Sequence, residues 1–354
     1  MNPLDALVEQ PVEWLRVSGP ESDIVVSSRL RLARNLFGVP FLQKLENEQK
    51  VEVIETVEKA IRRSPRMKDA HYLKRAQLSE LDLQFLLERH LISREHVEEK
   101  GEKAVAITSN EVVSLMVLEE DHLRLQAFQA GFSLMDTWRI INQIDDDLEK
   151  NLNYSFSASL GYLTACPTNV GTGLRASCML HLPGLVLTKQ VHKVLQALAK
   201  LNLTARGLYG EGTQATGNFF QFSNQTTLGQ NEDEIIDNLA AVIRQVIEHE
   251  KEARRYLVEK KRVKFQDQVW RALGTLRSAH VISSTEATQL LSLVQLGLQL
   301  EILKGALTKQ ELNLLFLLIQ PAHLQKLSRK ALSAPERDIR RAELIRQKFQ
   351  KISL

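Results

Sequence analysis

Two arginines two positions apart, Arg29 and Arg31, lie in the segment SSRLRLAR that begins at Ser27. In an extended chain alternate side chains share a face, so these two guanidinium groups would point the same way. Such a pair suits a polyphosphate, because each guanidinium can donate parallel hydrogen bonds to phosphate oxygens. A solvated edge strand with basic residues is the alternative, and this segment alone does not decide between the two.

A second charged segment, LEEDHLR, runs from Leu118 to Arg124. It predicts a strand-to-helix junction in which Asp121 caps the helix and Arg124 lies about one turn in, near Glu120. The predicted amphipathic helix rests on apolar residues at three- and four-residue steps: Leu125, Phe128, Phe132, Met135, Trp138, Ile141 and Leu148. Carboxylates beside an arginine could place a cationic group next to an anionic one, although a charged capping turn is the alternative.

A third segment, CPTNVGTGLRASCM, begins at Cys166 and leads from a turn-rich loop into a strand. Arg175, Ser177 and Met179 share one face of that strand, and the other face is apolar. The loop lacks the GK[ST] ending of a Walker A phosphate loop. Cys166 stands beside hydroxyl and amide groups that could stabilise a thiolate, although a buried and inert cysteine is the alternative.

A fourth segment, RGLYGEGTQATGN, begins at Arg206 and carries four glycines, with Glu211 among them. This density of glycine predicts a mobile loop that could close over a substrate and exclude water. An ordinary flexible surface loop is the alternative.

The composition limits the class of protein. The chain has 354 residues, which predicts two domains or one large domain with an appendage. The net charge of +3 is too small to indicate nucleic-acid binding over the whole surface, and no run approaches the ~20 apolar residues of a membrane span. Two cysteines are too few for a disulfide framework, and the first residues do not resemble a signal peptide, so we expect a reduced, cytoplasmic protein with no membrane partner.

The pattern of elements changes near residue 250. Before it, short β-rich runs alternate with amphipathic stretches, which predicts an α+β domain over residues 1–255. Lys251 to Lys264 is strongly basic and predicts a long helix or a linker. After it, capping-box signatures at Ser283, Thr308 and Ser333 predict an all-helical domain over 256–354.

Together, and in this order, the four segments resemble those of the guanidino (phosphagen) kinases, and most closely the bacterial protein-arginine kinases of the McsB type. The resemblance implies an antiparallel sheet flanked by helices, followed by an all-helical C-terminal domain. It also implies transfer of the γ-phosphate of ATP to arginine side chains of proteins, with Mg²⁺ bound to the ATP. We expect phosphates and waters to hold that ion, and name no protein ligand for it.

Carried over position by position, the resemblance assigns roles to individual residues. It implies that Glu120 and Glu211 hold the substrate guanidinium, that His90 contacts adenine and that Cys166 is a reactive cysteine. Met179 stands where the small-guanidine kinases have a second adenine-side histidine. Phosphate-binding roles are implied for Arg29, Arg31, Arg124, Arg175 and Arg206.

A possible second site lies near the C-terminus, in the segment ERDIRRA. Arg337 and Arg341 are four residues apart, so they share a helix face, and the preceding cap at Ser333 places them near a helix N-terminus that favours anions. Asp338 adds a carboxylate. A charged, solvated helix is the alternative, but the motif resembles the family's phosphoarginine-receptor pocket, which implies allosteric activation by phosphoarginine.

The nature of the substrate rests on a comparison with the small-guanidine kinases. In those enzymes a helical domain precedes the SSRxR segment, whereas here Ser27 lies close to the first residue. An uncovered site would admit an arginine on a protein surface. Two alternatives remain: a kinase for a small free guanidine, and a non-catalytic adaptor that binds phosphoarginine. The resemblance further implies homo-oligomers, a role in stress response and protein quality control, and three partners: a transcription repressor, an activator protein and a Clp-type protease system.

Overall fold

The computed structural model of the chain describes residues 3–207, 215–304 and 307–350, and a β-sheet forms its centre. The strands are β1 (Val25–Arg34), β2 (His71–Lys74), β3 (Ala104–Ile107), β4 (Val113–Val117), β5 (Leu123–Ala130), β6 (Phe156–Ser157), β7 (Gly161–Tyr162), β8 (Leu174–His181), β9 (Leu203–Gly207) and β10 (Phe219–Asn224). Eight of them form one sheet in the order β2-β3-β4-β5-β1-β8-β10-β9, and its neighbouring strands are antiparallel. The remaining two, β6 and β7, form a separate hairpin.

Helices flank the sheet and then make up the rest of the chain. Those before residue 261 are α1 (Asn47–Arg63), α2 (Glu80–Glu88), α3 (Arg94–Glu98), α4 (Leu134–Glu149), α5 (Pro183–Leu187), α6 (Val191–Lys200) and α7 (Glu232–Lys260). The following helices are α8 (Arg262–Ser278), α9 (Ser284–Gln299), α10 (Lys309–Leu318), α11 (Pro321–Ser328) and α12 (Ala334–Phe349). The predicted α+β fold with a helical C-terminal region is therefore confirmed.

The two faces of the sheet pack against different partners. Leu30 and Leu32 of β1, with Ala176 and Cys178 of β8, are fully buried in a core shared with α1, α4 and α7. These residues occupy every second position, so they share one face, which the helices remove from water. The opposite face therefore carries the residues in between.

The C-terminal helices dock on part of that opposite face. Phe128 of β5, Met179 of β8 and Phe219 of β10 are buried in a second core together with residues of α8, α9, α10 and α12. Met179, at the position where the small-guanidine kinases have a second adenine-side histidine, is therefore part of the packing between the sheet and the helical region. The predicted domain boundary near residue 255 falls within α7 and stays a prediction.

Sequence signals located the C-terminal helices well. The Ser283 side chain accepts a hydrogen bond from the backbone of Glu286 at the start of α9, and Thr308 and Ser333 begin α10 and α12 with capping boxes. The basic run from Lys251 to Lys264 is helix on both sides of Lys261 rather than an extended linker.

The predicted helix after Asp121 was wrong in its first half. Residues Leu123–Ala130 form strand β5, and the helix begins only at Leu134. Both faces of this central strand are largely buried, so it carries apolar residues on both. Some of these residues fall three and four positions apart, which is also the spacing of an amphipathic helix. Asp121 caps no helix; instead its carboxylate accepts hydrogen bonds from the side-chain amide of Asn35 and the backbone of Ala165.

Candidate active site

Five arginines lie on one face of the sheet. Arg31 of β1 is directly opposite Arg175 of β8, and Arg29 lies two residues earlier, so all three share a face. The registers of β5 and of β9 with β10 put Arg124 and Arg206 on that face as well. The structure therefore brings together all five predicted phosphate-binding residues, which come from four strands.

Arg29 and Arg31 carry charges that few protein groups neutralise. Among the described residues neither forms an ion pair, and the buried Nε of each has no hydrogen-bond partner; Arg29 donates to the side chain of Gln126 through its Nη2. Burial, followed by the charge of Arg124, lowers the pKa of Arg29 to about 9. Burial and the neighbouring Arg29 lower the pKa of Arg31 well below its usual value. Clustered cations with unused donors indicate a binding site for a polyanion.

Glu119 is a residue of this site that sequence reasoning did not single out. It is 1% exposed, and its two carboxylate oxygens accept hydrogen bonds from Nη1 of Arg124 at 2.7 and 2.6 Å. The hydroxyl of Ser93 donates a further bond at 2.6 Å. Burial acts to raise the pKa of Glu119, but the ion pair with Arg124 outweighs it and lowers that pKa. Glu119 therefore holds Arg124 in place as a carboxylate.

Glu120, the predicted catalytic carboxylate, has a different environment. Its side chain is 40% exposed and lies 4.0 Å from Nη1 of Arg124. Burial, and the negative charges of Asp121 and Glu119, raise the pKa of Glu120 against the opposing effect of Arg124. A carboxylate that is accessible, near the arginine cluster and raised in pKa can bind a guanidinium and accept a proton. The second predicted carboxylate, Glu211, lies outside the described residues.

His90 lies at the edge of the arginine face. Its ring packs edge-on against Trp14, with ring centroids 4.7 Å apart, and its backbone oxygen accepts a bond from Gln126, the residue that also contacts Arg29. Burial and the charge of Arg29 lower the pKa of His90 to about 3, so its imidazole is neutral. A neutral ring held beside the predicted phosphate site is compatible with the predicted contact to adenine.

The two cysteines have opposite environments. Cys166 is partly exposed, and its Sγ lies 3.1 Å from Oγ1 of Thr168. It lies near Arg175 of the arginine face, whose pKa is lowered by burial and by the charges of Arg124 and Arg206. Cys178 is fully buried on the core face, and burial raises its pKa to about 12. Only Cys166 is therefore placed to react.

The C-terminal cluster is only partly exposed. Arg341 is 1% exposed and donates hydrogen bonds to the backbone oxygens of Ile319 and Ile282 and to the carboxylate of Asp338. Arg337 and Asp338 are half-buried, and Arg337 donates to the backbone of Leu332. A solvated helix face, the alternative considered above, does not describe Arg341. Its donors already stabilise the fold, and the phosphoarginine pocket stays a prediction.

Two kinds of feature are absent from the part of the chain that the structure describes. Among the described residues, no group of three or more His, Cys, Asp or Glu side chains lies close enough to hold a metal ion. Within the same ranges, no helix is both long and apolar enough to cross a membrane.

An antiparallel sheet with an arginine-lined face beside two glutamates can bind a polyphosphate next to a cationic group. Residues 52–253 match the model of the ATP:guanido phosphotransferase C-terminal catalytic domain, and residues 262–354 match that of the protein-arginine kinase McsB C-terminal domain. The chain is 48% identical over 339 residues to a protein-arginine kinase of Pelotomaculum thermopropionicum, covering 95% of each chain. It is also 48% identical over 343 residues to one of Moorella thermoacetica, covering 96% of this chain and 98% of that one. The chain therefore belongs to the protein-arginine kinase family.

Solved structures agree at the level of the fold. A lombricine kinase superposes with a TM-score of 0.57 at 24% identity, covering 69% of this chain and 70% of that one. A duplicated taurocyamine kinase from Schistosoma mansoni, with bound components of a transition-state analogue, superposes with a TM-score of 0.61 at 19% identity, covering 84% and 51%.

Proposed function

We propose that the chain transfers the γ-phosphate of ATP to arginine side chains of proteins. The observation that carries this proposal is the unused hydrogen-bonding capacity of Arg29 and Arg31 on a face shared with three further arginines. In this arrangement the arginine face binds the ATP phosphates, and Glu120, together with Glu211, binds the substrate guanidinium. The names of the relatives, and the match of the C-terminal helices to a protein-arginine kinase domain, support a protein as the substrate.

The central chemical difficulty is that arginine is a poor nucleophile. Its guanidinium stays protonated at ordinary pH, with a pKa above ~12, so one nitrogen must lose a proton as it attacks. Two carboxylates can accept hydrogen bonds from two nitrogens of the guanidinium, which orients the third nitrogen towards the γ-phosphorus. One of the carboxylates can then accept the proton. A nitrogen–phosphorus bond forms, the bond from the γ-phosphorus to the bridging oxygen breaks, and ADP leaves with that electron pair.

The arginine face supplies most of what the transfer requires. Phosphoryl transfer depends mainly on in-line positioning and on neutralising charge on the phosphate oxygens. Because Glu119 anchors Arg124, one of these charges is fixed before ATP arrives. We propose Mg²⁺ as the divalent ion that accompanies ATP, where it would neutralise part of the negative charge of the phosphates. Phosphate and water oxygens suit this ion, because Mg²⁺ usually keeps several waters and binds the phosphates of its substrate.

A single incubation tests the activity. The purified chain is mixed with Mg·ATP and an arginine-rich protein, and the products are searched for phosphoarginine by mass spectrometry under conditions that preserve the acid-labile bond. The matched control is the Glu120→Gln variant. We expect phosphoarginine on the protein and little consumption of ATP with free arginine. Phosphorylation of free arginine alone would indicate a small-guanidine kinase, and binding of phosphoarginine without any transfer would indicate an adaptor.

We also propose how the chain is organised and where it acts. Residues 1–255 form the catalytic domain, and 256–354 form a helical domain with a phosphoarginine pocket at Arg337, Asp338 and Arg341. The two family models, which end at residue 253 and begin at 262, support this division.

We infer the cellular role from the resemblance to the family. The enzyme would act in the cytoplasm, as two unpaired cysteines suit a reducing compartment, and would mark or regulate proteins in stress response and quality control. Its partners would be a transcription repressor, an activator protein and a Clp-type protease system. The leucine-rich C-terminal helices would join copies of the chain into homo-oligomers.

A further inference from the structure

A single buried amide joins the arginine face to the turn that carries His90. Gln126 lies in the middle of β5 and is fully buried. Its Oε1 accepts a hydrogen bond from Nη2 of Arg29. Its Nε2 lies within hydrogen-bonding distance of three acceptors, which are the backbone oxygens of His90 and Leu91, at 2.9 and 3.0 Å, and the hydroxyl of Ser114, at 2.6 Å. The two ends of one amide therefore bind two different parts of the candidate site.

The turn that Gln126 binds is the end of helix α2. The backbone N–H of His90 donates to the oxygen of Leu87 at 2.9 Å, and that of Leu91 donates to the oxygen of Leu86 at 3.0 Å. This pair of bonds is a common way for a helix to end. His90 has the left-handed backbone of such an end, with φ of 60°. The N–H groups of the turn are thus bound by the helix, and its carbonyl oxygens are bound by Gln126, which fixes the turn to the sheet.

Arg29 is oriented by two neutral groups. Its guanidinium lies over the ring of Phe128, 5.0 Å from the ring centroid, and its Nη2 donates to Gln126. Among the described residues no carboxylate forms an ion pair with it, and its buried Nε has no hydrogen-bond partner. A neutral amide orients a guanidinium without cancelling its charge, whereas a carboxylate in the same place would cancel it. The charge of Arg29 therefore remains available to a phosphate.

Ser114 completes this buried network. It lies directly opposite Gln126 on the neighbouring strand β4 and is also fully buried. Its hydroxyl accepts a hydrogen bond from Gln126 and donates one to the backbone oxygen of Leu91 at 2.9 Å. A buried network whose members are bonded to one another is rigid, because a displaced member loses hydrogen bonds that no water replaces. The same side chain therefore sets the position of Arg29 and that of the turn.

We propose that Gln126 is a positioning residue for ATP, which holds Arg29 at a fixed distance from the turn of His90 so that the phosphates and the base of one nucleotide bind together. The inference rests on the proposed function, because it takes ATP as the substrate and Arg29 as a phosphate ligand from there, and keeps the predicted contact of His90 with adenine. It adds the residue that couples the two ends of the nucleotide site. Because Gln126 is fully buried, it acts only through the groups that it binds.

Two ligands and two variants test this role. Tripolyphosphate resembles the phosphate chain of ATP but has no base, and titration calorimetry with Mg²⁺ present gives the dissociation constant of each ligand for the full chain. Gln126→Met keeps the volume of the side chain and removes the amide. We expect it to weaken ATP binding about tenfold or more and tripolyphosphate binding by less, so that the preference for ATP falls.

Ser114→Ala separates the two ends of the amide. It leaves the bond between Arg29 and Gln126 in place and loosens only the turn. ATP binding should weaken about threefold or more, whereas tripolyphosphate binding should stay at the wild-type value. An unchanged preference for ATP over tripolyphosphate, in either variant, would overturn the inference.

The matched control for a general loss of stability is Gln295→Met. Gln295 is a buried glutamine of α9 that donates to Oδ1 of Asn313 at 3.1 Å. Urea denaturation measures the stability of each variant, and Gln295→Met should bind both ligands as the wild type does. If it loses the preference for ATP as Gln126→Met does, the effect is one of stability and the inference fails.

The failure of this inference differs from that of the proposed function. A wild-type chain that does not bind ATP, or that transfers no phosphate to a protein, would contradict the proposed function. A wild-type chain that prefers ATP to tripolyphosphate, beside a Gln126→Met variant with the same preference, would contradict this inference alone.

Discussion

Nη1 of Arg124 donates to both carboxylate oxygens of Glu119, at 2.7 and 2.6 Å, whereas Glu120, the next residue, lies 4.0 Å from the same nitrogen. Two adjacent glutamates thus have different tasks. The buried one holds Arg124, an arginine of the proposed phosphate site, and the accessible one is free to bind the proposed guanidinium substrate. This division of labour leads to the first prediction.

Replacing Glu119 by glutamine should impair catalysis although Glu119 touches no substrate. Glutamine keeps the size of the side chain but removes the charge that holds Arg124, so we expect kcat/KM for ATP to fall about tenfold to a hundredfold. The control is Glu95→Gln, which removes an exposed carboxylate whose charge acts on Arg124 without an ion pair to it. Steady-state rates with varied ATP measure the effect. Equal values in the two variants would mean that Arg124 keeps its position without the ion pair.

Arg31 and Arg34 should respond oppositely to substitution by alanine. Arg34 lies on the core face, is 2% exposed and donates to Asp145 at 3.0 and 2.7 Å. Arg34→Ala should therefore lower the free energy of unfolding by about 3–5 kcal/mol, as measured by urea denaturation. Arg31→Ala removes a buried charge that has no carboxylate partner among the described residues, so the free energy of unfolding should not fall. The dissociation constant for ATP should rise about tenfold or more. The reverse pattern would contradict the assignment of the two faces.

The acid limb of the pH–rate profile should report Glu120. Burial and neighbouring carboxylates raise the pKa of Glu120, and the group accepts a proton only when ionised. Activity should therefore be lost as the pH falls through a value above the ordinary glutamate pKa of about 4.3. Asp121→Asn removes one neighbouring charge, so the limb should move to lower pH. Glu120→Gln should lose about a hundredfold in kcat and retain ATP binding; a wild-type rate in this variant would disprove the assignment.

Alkylation should distinguish the two cysteines. Cys166 is partly exposed beside the arginine face, whereas Cys178 is buried and its pKa is raised to about 12, so iodoacetamide should label Cys166 first and inhibit the enzyme. Mg·ATP should slow the labelling. Peptide mass spectrometry over time follows both sites, with Cys166→Ser as the control. Faster labelling of Cys178, with activity retained, would contradict the prediction.

Arg337→Ala should abolish activation by phosphoarginine and spare the basal rate. Arg337 is half-buried and makes a hydrogen bond to the backbone of Leu332, whereas substitution of the buried Arg341 would disturb the fold itself. The control is Arg340→Ala, which breaks only a surface pair with Glu343. Initial rates against added phosphoarginine measure the response, which we expect to be about 5- to 150-fold in the wild type, the range of typical allosteric coupling. The same response in Arg337→Ala would return the cluster to a structural role.

Sequence by itself determined the features that depend on near neighbours in the chain. The two-residue spacing of Arg29 and Arg31 placed them on one face, because side chains alternate along any strand. The capping signatures at Ser283, Thr308 and Ser333 located three helices, because a cap is made within one turn. The four ordered segments were specific enough together to indicate the family, which the comparisons then confirmed.

Only the tertiary structure decided the features that depend on residues distant in the chain. Leu123–Ala130 is a strand because it pairs with β1 and β4. Since both of its faces are buried, its sequence lacks the regular alternation of apolar and polar residues that marks a half-exposed strand. Glu119 and Glu120 are adjacent residues of the same type, and the sequence does not distinguish their roles. Only the folded chain shows that Arg124 and Ser93 contact Glu119. Burial and pairing across the sheet are properties of the folded chain, since the atoms that set them meet only when it has folded.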